Sequence, residues 1–245
     1  MAISVHWRSA LAGVALFAPL PAISEIAAAQ SLEVAPVTIE LAAGAMATTL
    51  SVTNHGTETT PIQVRAFVWD QQDGVDHLTT TDDLMASPPI AQVAPEGTQV
   101  IRLVLHRPVG TIERSFRLLI DQIPSAEATG TVRFALRLSI PVFAEPSAHV
   151  AATLIWRVAN LGNGRGELIA TDTGGRHTKI RDAGLASADG DFPAIGVNVA
   201  PYVLAGATRR WPIILEHIPS STPLHLTAAT DSGRVDRILT IGDAP

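Results

Sequence analysis

The sequence contains no cysteine, which excludes a disulfide framework, a zinc site with cysteine ligands and a thiol nucleophile. Charged residues make up only 16% of the chain, and the formal net charge is −6. Because an acidic chain is not attracted to phosphate backbones, we expect no nucleic-acid partner. Beyond the first 30 residues, no stretch reaches eighteen consecutive apolar residues, so we expect no stable membrane insertion.

Motifs for catalysis and metal binding are also missing. The eight histidines form neither an H-x-H pair nor an H-E-x-x-H motif, and no G-x-S-x-G occurs. Asp70, Asp73 and Asp76 lack the twelve-residue spacing of a calcium loop. Residues 162–166 are rich in glycine but lack the Lys-Ser/Thr pair of a phosphate loop, so a turn is predicted. We therefore expect that the protein is not an enzyme and that it binds no metal ion and no other cofactor.

The N-terminus has the features of a secretory signal peptide. Residues 1–8 include Arg8 and no acidic residue, and an apolar stretch follows at residues 9–20. Three alanines at residues 27–29 fit a cleavage site. An anchoring helix is the alternative, but the segment contains two prolines and is too short to span a bilayer. We predict a signal peptide over residues 1–29 and an exported, mature protein from about Gln30.

The rest of the chain alternates short apolar segments with turns, at a spacing typical of an antiparallel β-sandwich. Residues 70–83 are polar and are predicted to be a loop, and a linker is predicted at residues 146–147. A second β-rich half follows, in which Trp156 and Trp211 are expected in the core. These patterns predict an all-β protein with an N-terminal domain at 30–146 and a C-terminal domain at 147–245.

The most regular segment spans residues 131–143, T-V-R-F-A-L-R-L-S-I-P-V-F. Every second side chain is a large apolar one and points to the same face; these are Val132, Phe134, Leu136, Leu138 and Ile140. At about 3.3 Å per residue, they form a row ~26 Å long. The pattern alone leaves two interpretations open. The strand packs its apolar row on the core of its own domain, or it inserts this row into a partner protein.

Several segments, in this order, resemble the periplasmic chaperones of the chaperone–usher pathway. They are S-P-P-I-A-Q-V-A-P-E-G-T-Q-V-I-R-L at 87–103, E-R-S-F-R-L-L-I-D-Q-I-P at 113–124, the alternating segment with its F-A-E-P end at 131–146, P-Y-V-L-A-G-A-T-R-R-W-P-I at 201–213 and T-D-S-G at 230–233. The segment L-R-L-S-I-P-V-F is most similar to the corresponding segment in the divergent branch of the family that serves spore-coat-U-like or archaic pili.

The resemblance implies two immunoglobulin-like β-sandwich domains in a boomerang arrangement and a non-enzymatic role in the periplasm. The strand at 131–143 would enter an incomplete pilus, fimbrial or coat-like subunit, which is donor-strand complementation. An outer-membrane usher would then receive the subunit, and a self-capping dimer of the free chaperone is a further hypothesis. The alternative function is a secreted two-domain binding or adhesion module that keeps the apolar row for itself.

The resemblance also implies a pair of basic residues that anchor the C-terminal carboxylate of the subunit. In this sequence Pro36 and Pro141 stand near those two positions, and neither can bind a carboxylate. Arg117 and Arg137 are the candidate substitutes, because a guanidinium group binds a carboxylate through two hydrogen bonds.

A third implication is an ion network between the domains, formed by Arg102, Glu113 and Asp231. The three residues match positions that carry this network in the family, and a partly buried network is expected to fix the angle between the domains. Arg102 is also a weaker candidate for the carboxylate anchor.

Overall fold

The computed structural model describes residues 32–124, 135–148, 150–187, 190–192, 195–197, 201–216 and 218–243. These residues form strands and turns, and none of them forms a helix able to cross a membrane. The first ten strands are β1 Leu32–Ala35, β2 Ile39–Leu41, β3 Ala47–Asn54, β4 Thr60–Gln72, β5 Val75–Thr80, β6 Leu84–Ser87, β7 Ile90–Val93, β8 Thr98–Leu105, β9 Arg114–Gln122 and β10 Arg137–Ala144. The others are β11 Leu154–Gly162, β12 Arg165–Asp172, β13 Thr178–Ser187, β14 Gly190–Asp191, β15 Tyr202–Val203, β16 Thr208–Ile214, β17 Leu224–Thr230, β18 Gly233–Leu239 and β19 Ile241–Asp243.

The first ten strands form two sheets that enclose one core. One sheet has the order β1–β3–β8–β6, and the other has the order β2–β10–β9–β4–β5, with β7 beside β4. The alternating side chains of β8 and β9 bring Ile101, Phe116 and Leu118 into this core, each with 0% of its surface exposed. Each such side chain contributes about 1.5–3 kcal/mol through its burial, which explains why the alternating pattern specifies the sheets.

The remaining strands form a second sandwich with its own core. Its sheets have the orders β16–β12–β11–β19 and β14–β13–β17–β18, with β15 beside β13. Trp156 and Trp211 lie buried in this core with ring centroids 6.1 Å apart, as predicted. The all-β fold with two sandwiches is thus confirmed.

The loop predicted over residues 70–83 is wrong, because this region is a β-hairpin. β4 continues to Gln72, and β5 pairs with its second half. The turn is made by Asp73 and Gly74 with φ angles of 51° and 82°, a left-handed conformation that these two residue types tolerate. All six residues of β5 are exposed, so the strand has no buried face and leaves no hydrophobic alternation in the sequence.

A buried carboxylate lies at the end of β12. Asp172 is 1% exposed, and its Oδ1 accepts the backbone N–H groups of Thr153 and Gly174 at 2.9 and 2.7 Å. Its Oδ2 has no hydrogen-bond partner among the described residues. Burial raises the pKa of Asp172, and the two backbone hydrogen bonds oppose this only in part.

The substitution Asp172→Asn keeps an oxygen for the two backbone donors and removes the buried charge. We expect the variant to be at least as stable as the wild type at neutral pH. Because the raised pKa belongs to the folded state, the free energy of unfolding of the wild type should rise relative to the variant as the pH falls from neutral. Urea denaturation at several pH values measures this difference, and a constant difference across the pH range would contradict it.

Candidate functional site

β10 is covered very unequally on its two edges. All eight residues, Arg137–Ala144, pair with β9, whereas β2 covers the other edge only at Val142–Ala144. In the described part of the chain, no strand pairs with the outer edge of residues 137–141. An uncovered edge presents unpaired N–H and C=O groups to which a further strand can bind.

The hydrogen bonds at the two ends of β10 show which backbone groups face this free edge. Gln122 N–H donates to Leu136 O at 2.9 Å, so the even-numbered residues of β10 bond to β9. Glu145 N–H donates to Leu41 O at 2.9 Å, which places the odd-numbered residues on the outer edge beside β2. The odd-numbered residues before Val142 therefore direct their N–H and C=O groups to the free edge.

Pro141 marks the end of this free edge. Arg137 and Ser139 offer both an N–H and a C=O group outward, but Pro141 has only a C=O group because its ring replaces the N–H. The cover by β2 begins at the next residue, Val142. A partner strand can therefore pair with the residues before Pro141 but cannot extend its ladder past it.

The apolar row of β10 passes out of the core towards its N-terminal end. Ile140 is 6% exposed and belongs to the core of the first sandwich, Leu138 is partly buried against the same core, and Leu136 is 38% exposed. Ile140, predicted as part of the donated row, thus packs inside its own domain. Val132 and Phe134 of the same row lie outside the described residues.

The opposite face of the sheet carries Arg117, one of the two predicted carboxylate anchors. Arg117 lies on β9 directly across from Pro141, and its guanidinium carbon is 3.7 Å from the ring centroid of Trp69. Burial lowers the pKa of this half-buried arginine. Among the described residues none forms an ion pair or hydrogen bond with it, and Asp76, a carboxylate whose charge acts on Arg117, is paired with Arg209.

Arg137, the other predicted anchor, is already paired. Its Nε donates to Oδ1 of Asp121, while Nη2 of Arg65 donates to Oδ2 of the same carboxylate at 2.6 Å. Burial raises the pKa of Asp121, but the hydrogen bonds from Arg137 and Arg65 outweigh this and hold it below the ordinary range. Of the two candidates, Arg117 therefore has the free charge.

The hairpin of β4 and β5 reaches across to the second sandwich. Arg209, which is buried on β16, donates to Gly74 O at 2.9 Å and pairs with Asp76 at 2.9 Å. Desolvation acts to raise the pKa of Asp76, but hydrogen bonds and the charge of Arg209 lower it below the ordinary range. The tip of a first-domain hairpin is thus fixed to a strand of the second domain.

An aromatic cluster lies between the two domains. Trp69 and Phe143 of the first domain pack against Tyr202 of the second, with Trp69 edge-on to Tyr202 at a centroid distance of 5.5 Å. The ring of His177 stacks on Phe143 at 3.5 Å, and Gln71 Nε2 donates to Tyr202 O at 2.9 Å. This cluster adjoins Arg117, which shares Trp69 with it.

A buried pair joins the domains beside this cluster. Oε1 of Glu113 accepts the backbone N–H of His177 at 3.1 Å and lies 2.8 Å from its Nδ1. Both side chains are buried, at 0% and 3% exposed. Arg176 adds ion pairs to Glu40 at 3.0 Å and to Glu145 at 3.2 Å. These contacts connect the second domain to β2, to the end of β10 and to the segment before β9.

The predicted network of Arg102, Glu113 and Asp231 does not form. Glu113 binds His177 instead, and Asp231 is exposed and accepts the backbone N–H of Lys179 at 3.1 Å. Arg102 is exposed on β8, in the sheet that does not contain β10, and forms no ion pair with any described residue. Only Glu113 of the three holds the domains together, because a buried carboxylate pairs with the donors next to it.

Most contacts of this joint leave no sign in the sequence. Gln71, Arg176 and His177 lie in none of the motifs found in the sequence, and Arg209 lies in the segment at 201–213 without any sign of a contact with the first domain. One signal was available, since the only tyrosine of the chain, Tyr202, lies in the P-Y-V-L segment that contributed to the resemblance.

Residues 31–149, which include β1 to β10, match the protein-family model of pili and flagellar-assembly chaperones, PapD N-terminal domain. The first domain of this chain belongs to that chaperone family. The resemblance inferred from the sequence is thus confirmed. A comparison with curated protein sequences finds no match.

Solved structures of such chaperones share the fold over both domains. A chain of the CsuC–CsuE chaperone–subunit complex from archaic Csu pili of Acinetobacter baumannii is 22% identical, with a TM-score of 0.64 over 87% of this chain and 100% of that chain. The Escherichia coli chaperone DraB is 14% identical, with a TM-score of 0.58 over 86% and 97%. A chain of the SafA–SafB pilin–chaperone complex of Salmonella enterica is 15% identical, with a TM-score of 0.58 over 85% and 96%. The immunoglobulin-like class of both sandwiches is confirmed.

The substitution Glu113→Ala removes the carboxylate that joins the domains. We expect it to lower the stability of the contact between the domains by about 1–3 kcal/mol, because the backbone and ring donors of His177 then lie buried without an acceptor. Small-angle X-ray scattering should show a larger radius of gyration, while circular dichroism keeps its β-sheet signal. Asp231→Ala is the matched control and should change neither. An unchanged scattering curve for Glu113→Ala would show that this pair does not hold the domains.

Proposed function

We propose that this protein is a non-enzymatic periplasmic chaperone that binds pilus subunits through the free edge of β10. The observation that carries the proposal is the unequal cover of this strand, which is paired over eight residues on one edge and over three on the other. A pilus subunit that lacks a strand of its own exposes unpaired backbone and an apolar groove. β10 and the segment before it supply what such a subunit lacks.

The donated row consists of the apolar side chains that come earlier in the sequence than Ile140, the first residue of the row that is buried in the chaperone's own core. We assign this role to Val132, Phe134, Leu136 and Leu138, and we leave Ile140 to the first domain. At about 1.5–3 kcal/mol for each fully buried side chain, four of them contribute ~6–12 kcal/mol before ordering costs. This is enough to hold a subunit and to keep its groove from aggregating.

The partners follow from this function and from the similar proteins. CsuC and SafB are each described in complex with a pilus subunit, CsuE or SafA. We propose that the subunits of this chaperone are pilus, fimbrial or coat-like proteins, delivered to an outer-membrane usher. The predicted signal peptide at residues 1–29 would export the chaperone to the periplasm.

We further propose Arg117 as the anchor for the C-terminal carboxylate of the subunit. A partner strand on the free edge ends at Pro141, and Arg117 is the residue directly across from Pro141 on β9. A partner strand beside Pro141 would lie two strand spacings, about 10 Å, from β9, a distance that the extended side chain of Arg117 and the terminal residue of the subunit span together. Trp69 shields one face of this group from water, so its hydrogen bonds to a carboxylate gain strength.

The substitution Leu136→Asp should abolish subunit capture, because it places a charge in the subunit's apolar groove. Losing one apolar side chain alone weakens binding roughly tenfold to a hundredfold, and burying a charge weakens it further. The measurement is co-purification from the periplasm with a co-expressed pilus subunit of the same organism. Val100→Asp, at an exposed apolar residue on the other sheet, is the control. Undiminished capture by Leu136→Asp would refute the donor strand.

The substitution Arg117→Gln should weaken the binding of a peptide from the subunit's C-terminus by about tenfold or more, since a charge-assisted hydrogen bond is lost. Calorimetric titration should show this loss only for the peptide with a free carboxylate. The same peptide with an amidated C-terminus should bind both proteins equally. Arg102→Gln, at an exposed arginine on the other sheet, is the control, and equal losses with both peptides would exclude the anchor.

A further inference from the structure

Asp121 lies at the point where β10 leaves the core. It is directly across from Arg137, the first residue of β10, and each of its two carboxylate oxygens accepts a hydrogen bond from a different arginine. The side chain of Asp121 is 15% exposed, whereas those of Arg137 and Arg65 are 62% and 41% exposed. A shielded carboxylate thus ties the more exposed strand end to β9.

The free edge makes this tie important. Near Arg137 nothing in the described chain supports β10 from the outside, so its register depends on β9 alone. A slip by one residue would turn Leu136 and Leu138 away from the face on which they lie and would turn the polar residues to it. A charge-assisted hydrogen bond to the side chain of a single residue of β10 opposes such a slip, because it forms in only one register.

A second carboxylate in the same domain, Asp83, is also paired with two arginines, but it does not lie at the free edge of β10. Asp83 is 17% exposed and pairs with Arg107 and Arg114, again through both oxygens. Arg114 is the first residue of β9, across from Ala144, where β2 already covers β10. Asp83 therefore offers a matched comparison in which a two-arginine carboxylate has no connection to the free edge.

We infer that Asp121 is a positioning residue, which holds Arg137 and thereby sets the register and facing of the donated segment. The inference rests on the proposed function, and it gives Arg137 a role different from binding the subunit carboxylate. Arg65 completes the site by holding the second oxygen of Asp121.

Hydrogen–deuterium exchange on the full chain without a subunit tests this. In Asp121→Asn, the amides of Leu138 and Ile140, which face β9, should exchange about fivefold faster or more, which corresponds to the loss of one ion pair. The midpoint of thermal unfolding should stay nearly constant, because the core of the domain is untouched. Asp83→Asn should leave exchange at residues 136–140 as in the wild type.

A double-mutant cycle separates the contact from a general loss of stability. Exchange in Asp121→Asn with Arg137→Gln should be no faster than in either single variant, because both remove the same contact. Wild-type exchange rates in Asp121→Asn, or additive effects in the double variant, would overturn the inference.

Subunit capture then connects the register to function. Asp121→Asn should capture less subunit than Asp83→Asn, and equal capture by the two would show that the register has no role in binding. If the wild type itself captures no subunit, the proposed function fails. The exchange experiment still decides whether Asp121 holds the strand, since it requires no subunit.

Discussion

The structure depends on the two edges of a single strand. β9 holds one edge of β10 along its full length, and this gives the strand a fixed direction and facing. Within the described ranges, the other edge is paired only at its C-terminal end, where β2 lies. Because Pro141 cannot donate a hydrogen bond at the point where the cover ends, the strand is divided into a part that completes its own domain and a part that is free.

Arg117 and the joint between the domains share one aromatic group. Trp69 lies under the guanidinium of Arg117 and also packs against Tyr202 of the second domain. Contacts on both sides hold the second domain in place: the buried pair of Glu113 with His177, and the buried Arg209 with the exposed Asp76. The orientation of the domains and the setting of Arg117 are therefore parts of the same packing arrangement.

The sequence predicted the features that depend on local alternation, and it missed those that depend on which segments meet. The alternation before Phe143 identified the strand, but it could not show that Ile140 stays in the core, since a period of two is the same in both parts. β5 was missed because both of its faces are exposed. Arg117 and Arg137 looked equivalent until the register of β9 placed Asp121 beside only one of them. The partner of Glu113 is 64 residues away, and no spacing rule indicates it.

The length of β4 gives the molecule a mechanical property. Its thirteen residues span about 43 Å without interruption, from the core beside β7 to the tip that lies on β16. β9 lies between this strand and β10, so the three strands form a continuous hydrogen-bonded plate. A force applied to β10 is carried across this plate as shear and reaches the second domain through the hairpin. Any load on this strand is thus borne by both domains and not by β10 alone.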